Sequence, residues 1–379
     1  MSSNIGPEAQ AAYQKYLDAS SLDEKIRQLE EFLSLVPKHK ATEKIVALNR
    51  SRLAKLKREK EKREEKLRSA KKVVSPFSIR KEGIQLILVS DYHTPGAGKT
   101  SLLNYLTGAA QEKIGRFTPV PEVGVYKYHK MRFQIVDMPA IMEDASKGVG
   151  NGKEILSGIR SCDLLCILID LSRDYHSQMA RILEELSNAD IKINENPPPI
   201  EVQKTGANNI QVFYLTNSAK DVDDIDSFSE KIKELVYENG IRNAIVKIYD
   251  KISLEQVVDA LTPSIVYKPA IMIATKGDLP HTKSKFKTLK REYSNKFDVI
   301  IGSSVKKRTF PDNFGHIILD VLDKIKIYTM NNGMVADKPL IVNKGSKIKD
   351  VALKIHRTFY EDFDYALIIR EGARQERKR

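Results

Sequence analysis

The stretch from Ile84 to Gly108 narrows the fold more than any other. An apolar run, IQLILV, leads through a loop ending PGAGKT (Pro95 to Thr100) into the helix-forming LLNYLTG. A strand, a glycine-bearing turn and a helix start, in that order, point consecutive backbone N–H groups and a helix N-terminus at one anion. Gly96, Ala97, Gly98, Lys99, Thr100 and Ser101 are the predicted cradle. Lys99 would reach the β- and γ-phosphates of a nucleotide, and the Thr100 hydroxyl would sit on Mg2+. The full pattern asks for glycine at position 93, where this chain has His93. Glycine there normally permits the turn. The amides of Gly96, Ala97, Gly98 and Lys99 remain for binding, and His93 itself is expected on the loop surface.

Further apolar runs follow at MRFQIVD (Met131–Asp137), LLCILID (Leu164–Asp170), AIMIATK (Ala270–Lys276) and DVIIG (Asp298–Gly302). Unbroken apolar runs of this length read as strands buried on both faces, and the helical segments between them argue for an α/β fold with a parallel sheet. Residues 83–170 and 270–325 are assigned to this domain. The span 171–269 is too long for one crossover and carries its own helices at Ser177–Leu186, Ser227–Val236 and Ser253–Leu261, with strands at Ile210–Leu215 and Ala244–Tyr249. It reads as an inserted α+β subdomain. Residues 1–75 read as helices, with Ser21 as a cap, Pro37 as a stop and a narrow apolar stripe that needs cover from another domain or a partner. Residues 326–379 read as a small α+β module, with one helix at Ile348–Phe359 and a strand at Tyr365–Ile369.

Two more motifs follow the phosphate loop in a telling order. Asp137, ending its strand in DMPA, is placed to hold Mg2+, and Ala140 offers its N–H to a γ-phosphate. Ile141 stands next, where many nucleotide hydrolases carry a water-orienting Gln. TKGD, Thr275 to Asp278, follows another strand. The Asp278 carboxylate can accept from guanine N1–H and N2–H2, a donor pair that adenine lacks, and Lys276 would pack along the loop. Ser303 and Ser304, after DVIIG, suit a loop closing over the base. The order of the three motifs is more specific than any one of them. An ATPase would leave Thr275–Asp278 unexplained.

Charge points to a partner. Lys and Arg number 63 against 50 Asp and Glu, a net +13. Ser51–Lys72 holds eleven cations and four Glu, net +7; Arg370–Arg379 holds five and two, net +3. These segments carry ten of the thirteen charges and suit a polyanion, RNA above all. A solvated helix laced by Glu59–Arg63 and Glu64–Arg68 pairs is the plainer alternative. No aromatic residue lies between Arg52 and Lys72, so base stacking there is not indicated. The two cysteines, Cys162 and Cys166, exclude a disulfide scaffold or a four-cysteine zinc site, and no apolar run reaches the roughly 18 residues of a membrane span. With no secretory signal at MSSNIGPEAQ, a cytoplasmic protein is expected, with no membrane and no DNA partner.

Taken together, these residues resemble the Obg branch of GTPases and, more closely, the developmentally regulated GTP-binding (DRG) family. The resemblance rests on HKATEKIVALNRSRLAKLKRE (His39–Glu59), DMPAIMEDASKGVGNGKEILSGIRSCDLLCILID (Asp137–Asp170), IYTMNNGM (Ile327–Met334) and VALKIHRTFYEDFDYALI (Val351–Ile368). It implies a P-loop GTPase domain with N-terminal helices, an insert related to a ribosomal-protein fold, and a C-terminal TGS domain of β-grasp type. It also implies Mg2+, GTP and GDP as ligands, ribosome or RNA association, and a small stabilising protein partner. The chain departs from the family at several points. Its phosphate loop lacks the family's GFPSVGKS wording, and Gly96 replaces the Asn of the potassium site in Obg-like relatives. Its first switch reads Phe117-Thr118-Pro119, so Thr118 would take the family's Mg2+-binding threonine role after a one-residue shift. The ending EGARQERKR stands where the family continues through a last strand, so an incomplete β-grasp with a basic tail is expected. The reading is a slow GTPase; the alternative is a nucleotide-binding ribosomal module without hydrolysis.

Overall fold

The computed structural model describes residues 6–19, 21–37, 42–70, 75–109, 119–206, 209–220, 224–331, 334–369 and 376–378. The chain divides into two units, Met1–Ser78 and Ile79–Arg379.

The first unit is three helices, α1 (Pro7–Asp18), α2 (Leu22–Leu35) and α3 (Glu43–Ala70). Pro7 opens α1, where its missing N–H costs nothing. The Ser21 hydroxyl caps α2 by accepting from the Glu24 N–H at 3.2 Å, and the backbone turns extended at Val36, before Pro37. Ala9 and Ala12 of α1 pack with Leu29, Phe32, Val36 and Val46 in one buried cluster. The narrow stripe of α2 is therefore met inside this unit, by a helix whose apolar face is mostly alanine and tyrosine and hence faint in the sequence. Beyond Leu56, α3 is held by exposed pairs such as Lys57–Glu30 and Lys60–Asp23, both 2.6 Å, each worth under about 1 kcal/mol.

The second unit is built on a six-stranded sheet. In chain order its first elements are β1 (Ile84–Val89), α4 (Lys99–Thr107), β2 (Glu122–Tyr128), β3 (Met131–Asp137), α5 (Gly152–Ser161), β4 (Leu164–Asp170) and α6 (Tyr175–Asn188). The insert follows: β5 (Ile191–Ile193), β6 (Ile200–Lys204), β7 (Ile210–Tyr214), α7 (Ile225–Glu238), β8 (Ala244–Ile248), α8 (Leu254–Leu261) and β9 (Val266–Lys268). The sheet is then completed by β10 (Ala270–Thr275), α9 (Thr282–Tyr293), β11 (Ile300–Gly302) and α10 (Phe314–Val321). The sheet order is β11-β10-β4-β1-β3-β2. All neighbours are parallel except β2, which pairs antiparallel with β3 through Glu122↔Asp137 to Tyr128↔Met131. This edge strand alternates only weakly in polarity, which hid it in the sequence. Leu86, Leu88, Phe133, Ile135 and Cys166 share one face with Leu102 and Leu103 of α4 and Phe314 and Ile318 of α10. On the other face α5 packs so closely that a Cβ on Gly158 would stand 2.4 Å from Met138 and 3.5 Å from Ile87. Cys162 and Cys166 are both free and buried.

Within residues 191–268, β5 and β9 pair in parallel as a stem. Between them lies a three-stranded sheet, β6-β8-β7, with its own core of Ile232, Val236, Val246, Ile248 and Val257. After α10 come β12 (Lys324–Ile327), β13 (Met330–Asn331), β14 (Met334–Val335), β15 (Leu340–Asn343), α11 (Ile348–Ile355), α12 (Arg357–Glu361), β16 (Ala366–Ile368) and β17 (Glu376–Lys378). The single helix expected at Ile348–Phe359 is broken at His356, which is extended and whose ring accepts from the Thr358 N–H. The basic ending is not strand-free: β17 pairs antiparallel with β16. The β12–β15, β13–β14 and β16–β17 ladders are separate two-stranded pairs.

Candidate functional site

The carboxyl ends of β1, β3, β4 and β10 open onto one rim of the sheet, the place where open parallel sheets bind ligands. Three sequence motifs meet there. From β1 the chain runs through a turn at residues 91–94 into Gly96 (φ 74°) and Gly98 (φ 94°), both left-handed, and then into α4. Gly98 is the N-cap, and its carbonyl accepts from the Leu102 N–H at 2.9 Å. The first amides of α4, those of Lys99, Thr100 and Ser101, precede any intrahelical acceptor and face the rim. His93 is exposed and has no positive φ, so this loop makes its first turn without the backbone angles that would demand glycine.

Lys99 donates from Nζ to the Ser90 hydroxyl at 2.7 Å. Burial lowers its pKa, against the opposing pull of the Asp137 carboxylate. Thr100 is buried and donates to Asp137 Oδ2 at 2.5 Å. Asp137 is wholly buried, and its Oδ1 has no hydrogen-bond partner among the described residues. Burial raises its pKa, while Lys99 and Thr100 pull it down. Beyond β3 the pairing continues into the loop: Met138 N–H donates to Leu88 O (3.2 Å), Ile141 N–H to Ser90 O and Tyr92 N–H to Ile141 O (both 2.9 Å). This register leaves Ala140 half-buried, with no positive φ, and buries the Ile141 side chain.

The third motif leaves β10. Thr275 is buried and its hydroxyl donates to the Ala97 carbonyl at 2.8 Å, with a longer approach of 3.2 Å to Ile169 O. The TKGD turn is thus tied to the glycine loop before α4 by one hydroxyl. Lys276 takes a left-handed conformation, φ 60°, and its Nζ lies 3.0 Å from Oδ2 of the buried Asp170. Gly277 N–H donates to Ser303 O (3.0 Å) and Ser303 N–H to Ala274 O (2.7 Å). Ser304 donates from Oγ to Asp278 Oδ1 at 2.7 Å, and this bond holds the Asp278 carboxyl below its ordinary range. Both serines are buried.

Gly96, Ala97, Gly98, Lys99, Thr100, Ser101, Asp137 and Ala140 therefore gather on one side of the rim. Thr275, Lys276, Asp278, Ser303 and Ser304 gather beside them. Thr118 lies outside the described residues. Sequence reading missed several groups that hold these loops: Ser90, Asp91, Asp170 and, on α6, Gln178, Arg181 and Glu185. Asp170 could have been suspected as the acid closing LLCILID. The polar residues of α6 gave no signal, because a charged residue on an amphipathic helix reads as a solvent-facing one.

The family described as 50S ribosome-binding GTPase matches residues 94–202, and the C-terminal region of that domain matches residues 210–323. An uncharacterized GTP-binding protein of Methanocaldococcus jannaschii is 30% identical, over 94% of this chain and 88% of its own length. Ribosome-interacting GTPase 1 of Saccharomyces cerevisiae is 27% identical over 92% of each chain. Developmentally-regulated GTP-binding protein 2 of Homo sapiens is 26% identical over 91% of each.

Proposed function

The chain belongs to the DRG family of GTP-binding proteins, and from that premise we propose that it is a slow, Mg2+-dependent GTPase that works on the ribosome or a structured RNA. The observation that carries the proposal is the convergence of the phosphate loop, Asp137 and Asp278 on one sheet rim, locked together by Thr275.

The amides from Gly96 to Ser101 and the ammonium of Lys99 receive the phosphates. Lys99 leaves Ser90 for them, a short exchange of acceptors for a group whose burial already disfavours leaving its charge unmatched. Mg2+ fits at Thr100 and Asp137, because a buried carboxylate with one orphaned oxygen is what a cation would satisfy. Among the described residues no group of three or more His, Cys, Asp or Glu could hold a metal. That agrees with Mg2+, which takes one or two protein oxygens and fills its shell with phosphate and water. Held there by Thr100 and Asp137, it would offset the negative charge of the phosphates. The Ala140 amide donates to a γ-phosphate oxygen as water attacks in line. Ile141 is buried and apolar, so it orients no water, and intrinsic turnover is slow. Asp278, kept ionised by Ser304, accepts from guanine N1–H and N2–H2, while Lys276, pinned by Asp170, forms the wall beside the base.

An RNA partner is supported by α9. Lys283, Lys287, Lys290 and Arg291 are exposed, and none is ion-paired among the described residues. The helix's one acid, Glu292, faces α6, accepting from the Tyr175 hydroxyl at 3.0 Å. The exposed Lys283, Lys287, Lys290 and Arg291 therefore give this helix a mainly cationic surface. Residues 191–268 serve as the inserted subdomain, shorter than the expected 171–269 because α6 is bonded to the ends of β4 and β1, and 326–379 serve as the TGS-like one. The exposed Leu353, Phe359 and Leu367 of the latter give a small protein partner something apolar to cover. The buried Ile141 also favours a second reading, a nucleotide-binding ribosomal module without hydrolysis.

Calorimetry with GDP, a non-hydrolysable GTP analogue and ATP, in Mg2+, separates the two. Guanine-selective binding with preference for the GTP analogue, and phosphate release, supports the GTPase. Guanine binding blind to the γ-phosphate supports the module, and absence of guanine binding defeats both.

A further inference from the structure

Helix α6 touches the site at three loops through three polar side chains spaced along one face. Gln178, 1% exposed, clamps the backbone of Asp170, accepting from its N–H at 2.9 Å and donating to its carbonyl at 3.0 Å. One turn on, Arg181 donates from Nε and Nη2 to the two carboxylate oxygens of Asp91, at 2.9 and 2.7 Å. One turn further, the buried carboxylate of Glu185 accepts from the Asp144 and Ser146 N–H groups, at 2.7 and 2.9 Å. The helix thus grips the end of β4, the start of the phosphate loop and the turn after the Asp137 motif.

The Arg181 grip falls where the loop departs from its usual wording. Asp91 is 1% exposed. Its Oδ2 also accepts from the Thr94 hydroxyl at 3.0 Å, and its carbonyl accepts from the Thr94 N–H at 3.2 Å, which closes the turn over Tyr92 and His93. Arg173 adds a 3.4 Å bond to the His93 carbonyl. A carboxylate this deep is retained only where its charge is matched and its oxygens are bonded, and a bidentate guanidinium does both with fixed geometry. Lysine, a point donor, cannot.

We propose that Arg181 is a positioning residue for the phosphate loop, its bidentate grip on Asp91 fixing the 91–94 turn and so the direction of the amides from Gly96 to Lys99. The sequence pattern secures this turn with glycine at position 93; this chain secures it with an ion pair from the half-buried Arg181 of α6 to the buried Asp91. Arg181 touches no nucleotide itself. The inference rests on the reading of this loop as a phosphate site, but the brace is testable apart from it.

Two measurements on the full-length chain decide it. The first is hydrogen exchange in the absence of nucleotide for wild type, Arg181→Lys and Arg181→Ala. The expected result is exchange about tenfold or more faster in 91–101, with 270–293 unchanged; Arg181→Lys should restore only part of the protection. Unchanged exchange in 91–101 overturns the brace. So does acceleration of both regions by the conservative Arg181→Lys, which would mean a general loss of packing. The second is the affinity for GDP and for inosine diphosphate. Arg181→Ala should weaken both by the same factor, about 10- to 100-fold, because the base loop is untouched and only phosphate binding suffers. A change in the ratio of the two affinities would overturn the assignment. If wild type binds neither nucleotide, the phosphate-site reading fails, while the exchange result still decides the brace.

Discussion

Thr275→Val isolates the bond that joins the TKGD turn to the glycine loop, the two halves of the proposed nucleotide site. The two side chains share shape, so the substitution opens no cavity in the buried site, and only the hydroxyl is lost. That hydroxyl serves the Ala97 carbonyl at 2.8 Å and approaches Ile169 O at 3.2 Å. Ile169 lies within β4, whose backbone is held in the ladder to β10. The carbonyl left without its side-chain donor is therefore Ala97's, inside the phosphate loop. An unmet buried acceptor costs about 1–3 kcal/mol. If the loop stays in place, the cost falls on stability; if it swings out to find water, the cost falls on nucleotide binding. In the second case GDP affinity drops by about 5- to 150-fold, at about 1.4 kcal/mol per decade. The two effects share one source, so their sum stays within the range. Stopped-flow release of a fluorescent GDP analogue measures the binding part, and thermal melting without nucleotide the stability part. Melting and release both indistinguishable from wild type would refute the argument that the hydroxyl holds the loop. Thr275→Asn, which keeps a donor at this place, should lose less than the valine variant.

Asp278→Asn should weaken GDP binding by about 10- to 100-fold, since it removes a charge-assisted pair of bonds, and should relax base selectivity; unchanged GDP affinity in calorimetry would defeat the base-reading role. Lys283→Gln, Lys287→Gln and Lys290→Gln together should lower the salt slope of RNA or ribosome binding by about 2 to 3, and an unaltered slope would make the α9 face merely solvated. Asp137, raised by burial in the nucleotide-free protein, binds a proton more tightly folded than unfolded. Its contribution to stability is thus lost as pH rises from about 3.9, the unfolded value, through the raised folded one. Mg2+ with GDP reverses that preference, so their thermal shift should grow with pH across this window, and a shift independent of pH would contradict the Mg2+ assignment. Asp137→Asn should flatten it.

Most of the sheet was legible because parallel strands are buried on both faces and need unbroken apolar runs. IQLILV, MRFQIVD, LLCILID and AIMIAT are strands within a residue of where composition places them. The glycine loop before α4 and the TKGD turn after β10 were legible for a different reason: such turns depend on short contiguous segments. Local patterning failed where partners are distant. The edge strand β2 exists because β3 offers it a ladder. The alanine-rich α1 acquires meaning only against Leu29 and Phe32. The break at His356 depends on a side-chain bond that no periodicity reveals.

What the sequence alone determined is the order of the motifs: a glycine-bearing loop before a helix, an acidic strand end and the TKGD turn along one α/β chain. These are properties of neighbours in the chain, set by which backbone angles and side chains occur together. The tertiary structure decided how the pieces are held. Thr275 meets Ala97 across 178 positions of sequence, and Arg181 meets Asp91 across 90. Such bonds join residues whose local surroundings look ordinary. Their worth comes from burial, which makes an unmatched carboxylate or carbonyl costly, and burial is fixed only when the sheet and helices close on one another.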